Sequence, residues 1–156
     1  MATLPTPVAD FLSGRRFAVA GVSRHPGQAA ANGVYRKLKA SGYEVVPVNP
    51  NAAEVEGVKC YPDLLSIPGP VDGLMFVAPP TVATQLVRQC AERGVKQVWL
   101  HRSFGQGSVS PEAVEECRAK GINCIVGGCP LMYCQPVDVG HKCMRWLLAL
   151  RGRVPR

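Results

Sequence analysis

The chain has 156 residues, 47% hydrophobic and 19% charged, a balance that suits one globular domain with a real core and excludes a disordered chain. Its net charge of +7 comes from scattered Lys and Arg with no long basic run. That pattern argues against nucleic acid and leaves an anionic small ligand or a merely basic surface.

The first residues lack a charged-then-apolar leader, and no apolar run approaches the ~20 residues that a membrane-spanning helix needs. Seven cysteines is an odd count, so reduced thiols in a cytoplasmic protein are expected, with no membrane partner. Thr6-Pro7 ahead of Val8, Phe11 and Leu12 predicts a short helix with Thr6 as cap and Pro7 in its first position. Residues 1–15 then form a helical lead-in, 16–135 the main domain, and 136–156 a C-terminal helix with a basic tail.

Arg16–Ala20 reads as a buried strand. The run breaks at Gly21, turns through Val22, Ser23 and Arg24, and feeds a helix from about Gln28 to Ala40, which Gly42 closes. Tyr43–Val48 is a second strand, although Pro47 argues against an ordinary central position. Lys59–Pro62 is expected as a very short edge strand and Asp63–Ile67 as a helical turn. Val71–Val77 is a strand. Thr81–Arg93 is a helix with Val82, Leu86, Val87 and Cys90 inward, closed by Gly94.

Val95–Leu100 is the next strand and ends at His101. After a loop, Ser110-Pro111 opens a helix to Lys120 with Val114 and Cys117 inward. Gly121 closes it, and Ile122–Val126 is the last strand. Val139–Leu150 carries Cys143, Met144, Trp146, Leu147 and Leu150 at helical spacing. This segment either closes one side of the sheet or covers a partner subunit, as in a homodimer. Strands and helices that alternate through short joints imply a parallel sheet with right-handed crossovers. The fold class is therefore α/β: a Rossmann-like, three-layer, doubly wound sheet in a single domain.

In such sheets a ligand lies beyond the carboxyl ends of the strands. A strand that runs into a glycine turn and then a helix N-terminus also suits a phosphate. Gly21 would admit a close ligand, Ser23 offers a hydroxyl and Arg24 a fixed cation. Val48-Asn49-Pro50, Val77-Ala78-Pro79, the loop from His101, and Gly128-Cys129 complete the expected rim. The dinucleotide fingerprint G-x-G-x-x-G is missing, since Ser23 stands where its second glycine belongs. Asn49 stands where an acid would hold a ribose. An ordinary NAD enzyme is disfavoured on both grounds.

Residues 17–27, Tyr43–Asn51, Gly57–Pro68 and Val71-Asp72-Gly73 together resemble the small stand-alone CoA-binding protein family. That family is similar to the CoA-binding domain of the succinyl-CoA synthetase alpha subunit. The resemblance covers roughly Phe17 to Met132. It implies that Gly21, Val22, Ser23 and Arg24 meet the CoA diphosphate and that Asn49 and Pro50 sit by the adenosine. It further implies that Val77, Ala78 and Pro79 wall the nucleotide, with His101 along the pantetheine. The synthetase has a phosphate-binding lysine after its second strand. Asn49-Pro50-Asn51 stands there in this chain, which leaves more of the charge to Arg24.

No Ser-His-Asp or paired-carboxylate arrangement is evident, and Asp72 and Asp138 have no recognisable partner. His25 and His101 are placed to touch a ligand, whereas His141 suits a capping or buried polar role. Without a C-x-x-C pair no metal site is expected. Cys124 and Cys143 read as core residues. Cys129 is either a small buried turn residue or a thiolate of lowered pKa that forms a mixed disulfide with the CoA thiol. The expected function is binding of CoA or acyl-CoA without catalytic machinery of its own. The alternative is a nucleotide-dependent enzyme subunit, an NAD oxidoreductase or an acyl-CoA ligase component that needs a partner chain.

Overall fold

Strand β1 (Arg16–Ala20) is buried along four of its five residues, because it has a strand on each side and helices over both faces. The computed structural model describes residues 3–25, 27 and 29–155. Around β1 stand β2 (Glu44–Val48), β5 (Gly73–Phe76), β6 (Gln97–Leu100) and β7 (Asn123–Val126), all parallel, in the order β2-β1-β5-β6-β7. A two-residue pair, β3 (Glu54–Val55) and β4 (Val58–Lys59), forms a separate antiparallel hairpin. The helices are α1 (Thr6–Leu12), α2 (Ala30–Ala40), α3 (Ala83–Arg93), α4 (Pro111–Ala119) and α5 (Val139–Leu150). Among the described residues no helix is long and apolar enough to cross a membrane.

The period of two along each strand sorts the core into two layers. Phe17, Val19, Met75, Trp99 and Ile125 face a cluster that includes Phe11 of α1, Leu38 of α2 and Leu148 of α5. Ala18, Leu74, Phe76, Val98 and Leu100 face Val87 and Cys90 of α3 and Cys117 of α4. In the first layer Phe11 stacks on Phe17 at 4.7 Å and meets Trp99 edge-on at 5.4 Å. The Trp99 Nε1–H donates to the Gly127 carbonyl at 2.9 Å, so its polar atom is satisfied inside the core.

Pro47 sits where its missing N–H does least harm. It pairs with Val19 on one side, in the edge strand β2. Beyond that edge, the Lys59–Pro62 strand is reduced to a single parallel bridge between Val48 and Tyr61, while Val58–Lys59 pairs with the hairpin instead. Asp63–Ile67 is the expected single turn, closed by the Ile67 N–H donating to the Leu64 carbonyl at 3.3 Å and held by the Ser66 N–H donating to the Asp63 carboxylate at 2.8 Å.

Several expectations need correction. Thr6 is the first residue of α1; Pro5 occupies the cap position and no side chain caps it. Val82 does not point inward: Pro80–Val82 is a 3-10 turn, α3 starts at Ala83, and Val82 is 39% exposed. Asp72 does have partners, since the Arg15 and Arg16 N–H groups donate to it at 2.8 and 2.9 Å and hold its carboxyl below the usual range. Asp138 caps α5 by accepting from the His141 N–H at 3.0 Å, and it also pairs with the His141 ring. Cys143 is exposed rather than packed in the core.

Gly73 opens β5 directly beneath the stacked rings. A Cβ there would lie 2.9 Å from the Phe11 ring and 3.2 Å from the Phe17 ring. Gly73→Ala is expected to cost about 1–3 kcal/mol by overpacking, read as a lower urea midpoint at unchanged slope.

Candidate functional site

A cavity of about 470 Å³ opens over the carboxyl ends of β1, β2 and β5. In this strand order the chain reverses its direction of travel across the sheet at β1 and β5, which is where open α/β sheets hold ligands. Gly21 and Ser23 line the cavity from β1, Asn49 and Pro50 from β2, and Ala78 and Pro79 from β5; Gln85, Leu86 and Gln89 of α3 close its wall.

Gly21 has φ +101°, and a Cβ there would meet the Val77 carbonyl oxygen at 2.8 Å. Its N–H donates to the Val48 carbonyl at 3.0 Å. The close approach that demands glycine is therefore that of the Val77 backbone, and Gly21 locks the ends of β1, β2 and β5 together.

The turn beyond it is shaped by two asparagines. Asn32, fully buried in α2, accepts from the Ser23 N–H at 2.8 Å and donates to the Ser23 carbonyl at 2.9 Å and to Glu56 at 2.8 Å. Asn32 and Arg36 together hold the Glu56 carboxyl below its usual range. Asn49 donates to the Val22 carbonyl at 2.9 Å, and its side-chain oxygen accepts from the Asn51 N–H at 2.8 Å. The Ser23 hydroxyl accepts from the His25 N–H at 3.0 Å. Among the described residues the amides of Val22, Arg24 and Ala78 have no hydrogen-bond partner.

Helix α2 follows, with Ala29 at its cap position, no side-chain cap and no acidic residue in its first turn. The expected start at Gln28 lies outside the described residues. Arg24 and His25 are exposed and are not part of the cavity wall that Ser23 lines. α2 carries no acid in its own first turn, and the Glu56 carboxylate held on Asn32 is offset by Arg36, which leaves the exposed Arg24 to attract an anion to this corner. Among the described residues no group of three or more His, Cys, Asp and Glu is arranged to hold a metal.

Of the expected rim, Gly21, Ser23, Asn49, Pro50, Ala78 and Pro79 come together around one cavity. Val22 is fully buried in the core beneath the turn, and Val77 backs Gly21. His101 is not on the cavity wall; it is 8% exposed, and burial pushes its pKa down to about 4, so it is neutral at pH 7. Cys129 turns into the core that holds Trp99 and Tyr133. Burial pushes its thiol up to about 12, which fits the small buried turn residue and not the thiolate. Asn32 and Glu56 escaped the sequence reading. The signal was a polar residue on the buried stripe formed by Ala31, Val34, Tyr35 and Leu38.

Asn32→Ala leaves the Ser23 N–H and carbonyl without their partner. It is expected to cost about 1–3 kcal/mol in urea unfolding, with faster amide hydrogen exchange at Ser23.

Residues 15–135 match the CoA binding domain family. The chain is 39% identical over 107 residues to the alpha subunit of the ADP-forming acetate–CoA ligase II of Pyrococcus furiosus, an alignment that covers 68% of this chain and 23% of that subunit. It is 30% identical over 115 residues to YneT of Bacillus subtilis, covering 74% of this chain and 82% of that protein. A solved protein from Pyrococcus horikoshii superposes with a TM-score of 0.71 at 28% identity, covering 83% of this chain and 92% of the other. The chain spans 11% to 23% of the acetate–CoA ligases that it matches. With its parallel sheet, its cavity at the strand ends and a match over most of its length, the chain belongs to the CoA-binding domain family.

Proposed function

We propose that this protein binds coenzyme A or an acyl-CoA in the cavity over β1, β2 and β5. The observation that carries the reading is the Gly21–His25 turn at the head of the cavity, whose Val22 and Arg24 amides have no partner among the described residues and which carries an exposed arginine. Coenzyme A brings about four negative charges on its phosphates at neutral pH, which such a turn attracts. In this reading the diphosphate meets Gly21, Val22, Ser23 and Arg24, chiefly through the amides of Val22 and Arg24, the Ser23 hydroxyl and the Arg24 guanidinium. The adenosine lies by Asn49 and Pro50, and Val77, Ala78 and Pro79 wall the nucleotide.

Asn49, which stands where an acid would hold an NAD ribose, is not free to do so. Both polar atoms of the Asn49 side chain are engaged within the protein, on Val22 and Asn51. A second reading, the CoA-binding part of an acyl-CoA ligase that acts with a partner chain, is favoured by the likeness to the ligase alpha subunit. Addition of candidate partner chains and an acyl-CoA-forming assay separates it from a binding protein that acts alone.

Titration calorimetry is expected to show CoA binding and no comparable binding of NAD. NAD affinity equal to that for CoA would overturn the assignment. Arg24→Ala is expected to weaken CoA binding by about 1.5–3 kcal/mol, the usual worth of a charge-assisted bond, at unchanged melting temperature. Unaltered affinity would mean that Arg24 does not meet the ligand.

A further inference from the structure

One polar side chain in the cavity wall is buried and only half used. Gln89 of α3 lines the cavity but keeps no more than 9% of its surface exposed. Its Oε1 accepts from the Leu64 N–H at 3.0 Å. A backbone N–H can bond only to the oxygen of a carboxamide, so this contact fixes which way the amide faces. The Nε2 group is left over, and among the described residues it has no acceptor. It is not sealed in either. Among the described residues, the side-chain nitrogens and oxygens that are both enclosed and unpartnered are the Arg102 Nε and the Tyr133 hydroxyl. The open space against Gln89 is the cavity, and Nε2 presents its protons there. The other polar side chains nearby are engaged or loose: Asp63 bends back to accept from the Ser66 N–H and hydroxyl at 2.8 and 2.9 Å, and Gln85 is exposed. Pro62, Pro79, Val82 and Leu86 give the same cavity an apolar lining.

We propose, on the reading that coenzyme A occupies this cavity, that Gln89 selects the base: its Nε2 donates to a ring nitrogen of the adenine, which lies along α3 against the Tyr61–Leu64 segment. That segment belongs to the adenosine side of the site. The Tyr61 N–H donates to the Pro47 carbonyl at 3.0 Å and the Tyr61 carbonyl accepts from the Asn49 N–H at 2.9 Å, which ties the segment to the end of β2. Its other end is held to α3 by Gln89 and by Arg93, which donates to the Leu64 carbonyl. A purine base suits this wall, since it offers flat apolar faces and ring nitrogens that only accept. A donor already fixed in direction meets such an acceptor without the cost of ordering a mobile side chain. Among the described residues Asp63 carries the only charge of the cavity lining, and it is negative. The phosphates are therefore kept to the Arg24 end, and the neutral base takes this one.

Titration calorimetry with coenzyme A and with adenosine 3′,5′-diphosphate, the half of it that carries the base, tests the proposal. Gln89→Ala is expected to weaken both ligands by the same factor, about fivefold, the usual worth of one neutral hydrogen bond. Should that variant unfold for want of the Leu64 contact, Gln89→Glu keeps an oxygen for the Leu64 N–H and is expected to give at least the same loss. On the wild-type protein, adenosine 5′-diphosphates that lack N1, N3 or N7 are expected to include one that binds about fivefold more weakly than the parent and is indifferent to Gln89→Ala. Weaker coenzyme A with unmoved adenosine 3′,5′-diphosphate would overturn the proposal, because the amide would then meet the pantetheine arm. So would three analogues that all bind like the parent, or variants that bind both ligands like the wild type, with the amide serving Leu64 alone. Each of these failures leaves coenzyme A binding in place. A wild-type protein that binds neither ligand would overturn that reading together with this one.

Discussion

The site depends on one buried amide. Asn32 holds both backbone groups of Ser23 and reaches on to Glu56, so that α2, the β1 turn and the β3–β4 hairpin share a single side chain. A fully buried asparagine is costly unless all its bonds are made, and here three are made within the protein. The turn is thereby set before any ligand arrives. What it leaves open is the pair of amides that Asn32 does not use, at Val22 and Arg24. The Gly21 contact with Val77 performs the same office two residues earlier, setting the turn against the end of β5.

Much of this was legible in the sequence. The alternation of apolar runs with amphipathic segments, closed by Gly42, Gly94 and Gly121, leads to the parallel sheet. Its strand ends nominate Gly21, Ser23, Asn49, Pro50, Ala78 and Pro79, and these six do surround one cavity. Pro47 pointed away from the sheet centre, and β2 is an edge strand.

The remainder depended on contacts between residues distant in sequence. Nothing local to Asn32 says that its amide meets Ser23, and Asp72 finds its donors 56 and 57 residues away. His101 and Cys129 stand at strand ends but not on the cavity wall. Position at a strand's end fixes where a backbone stops, and the turn that follows, through Gly127 and Gly128 at positive φ in the case of Cys129, decides where the next side chain goes. Cys129 turns into the layer beneath Trp99, and desolvation rather than nearby amides then governs its thiol. Val82 was counted into a helix that begins one residue later, and that shift put it outside.

The three strand ends under the cavity come from three separate stretches of chain, and Gly21 joins them only in the assembled sheet. No short segment of the unfolded chain can imitate this surface. A molecule seated there recognises the native state alone, so by mass action it raises the free energy of unfolding with the logarithm of its concentration. At a hundred times its dissociation constant the shift is about 2.7 kcal/mol, a substantial share of the total stability of a domain this size. Occupancy would then govern how long the chain survives proteolysis as well as what it carries.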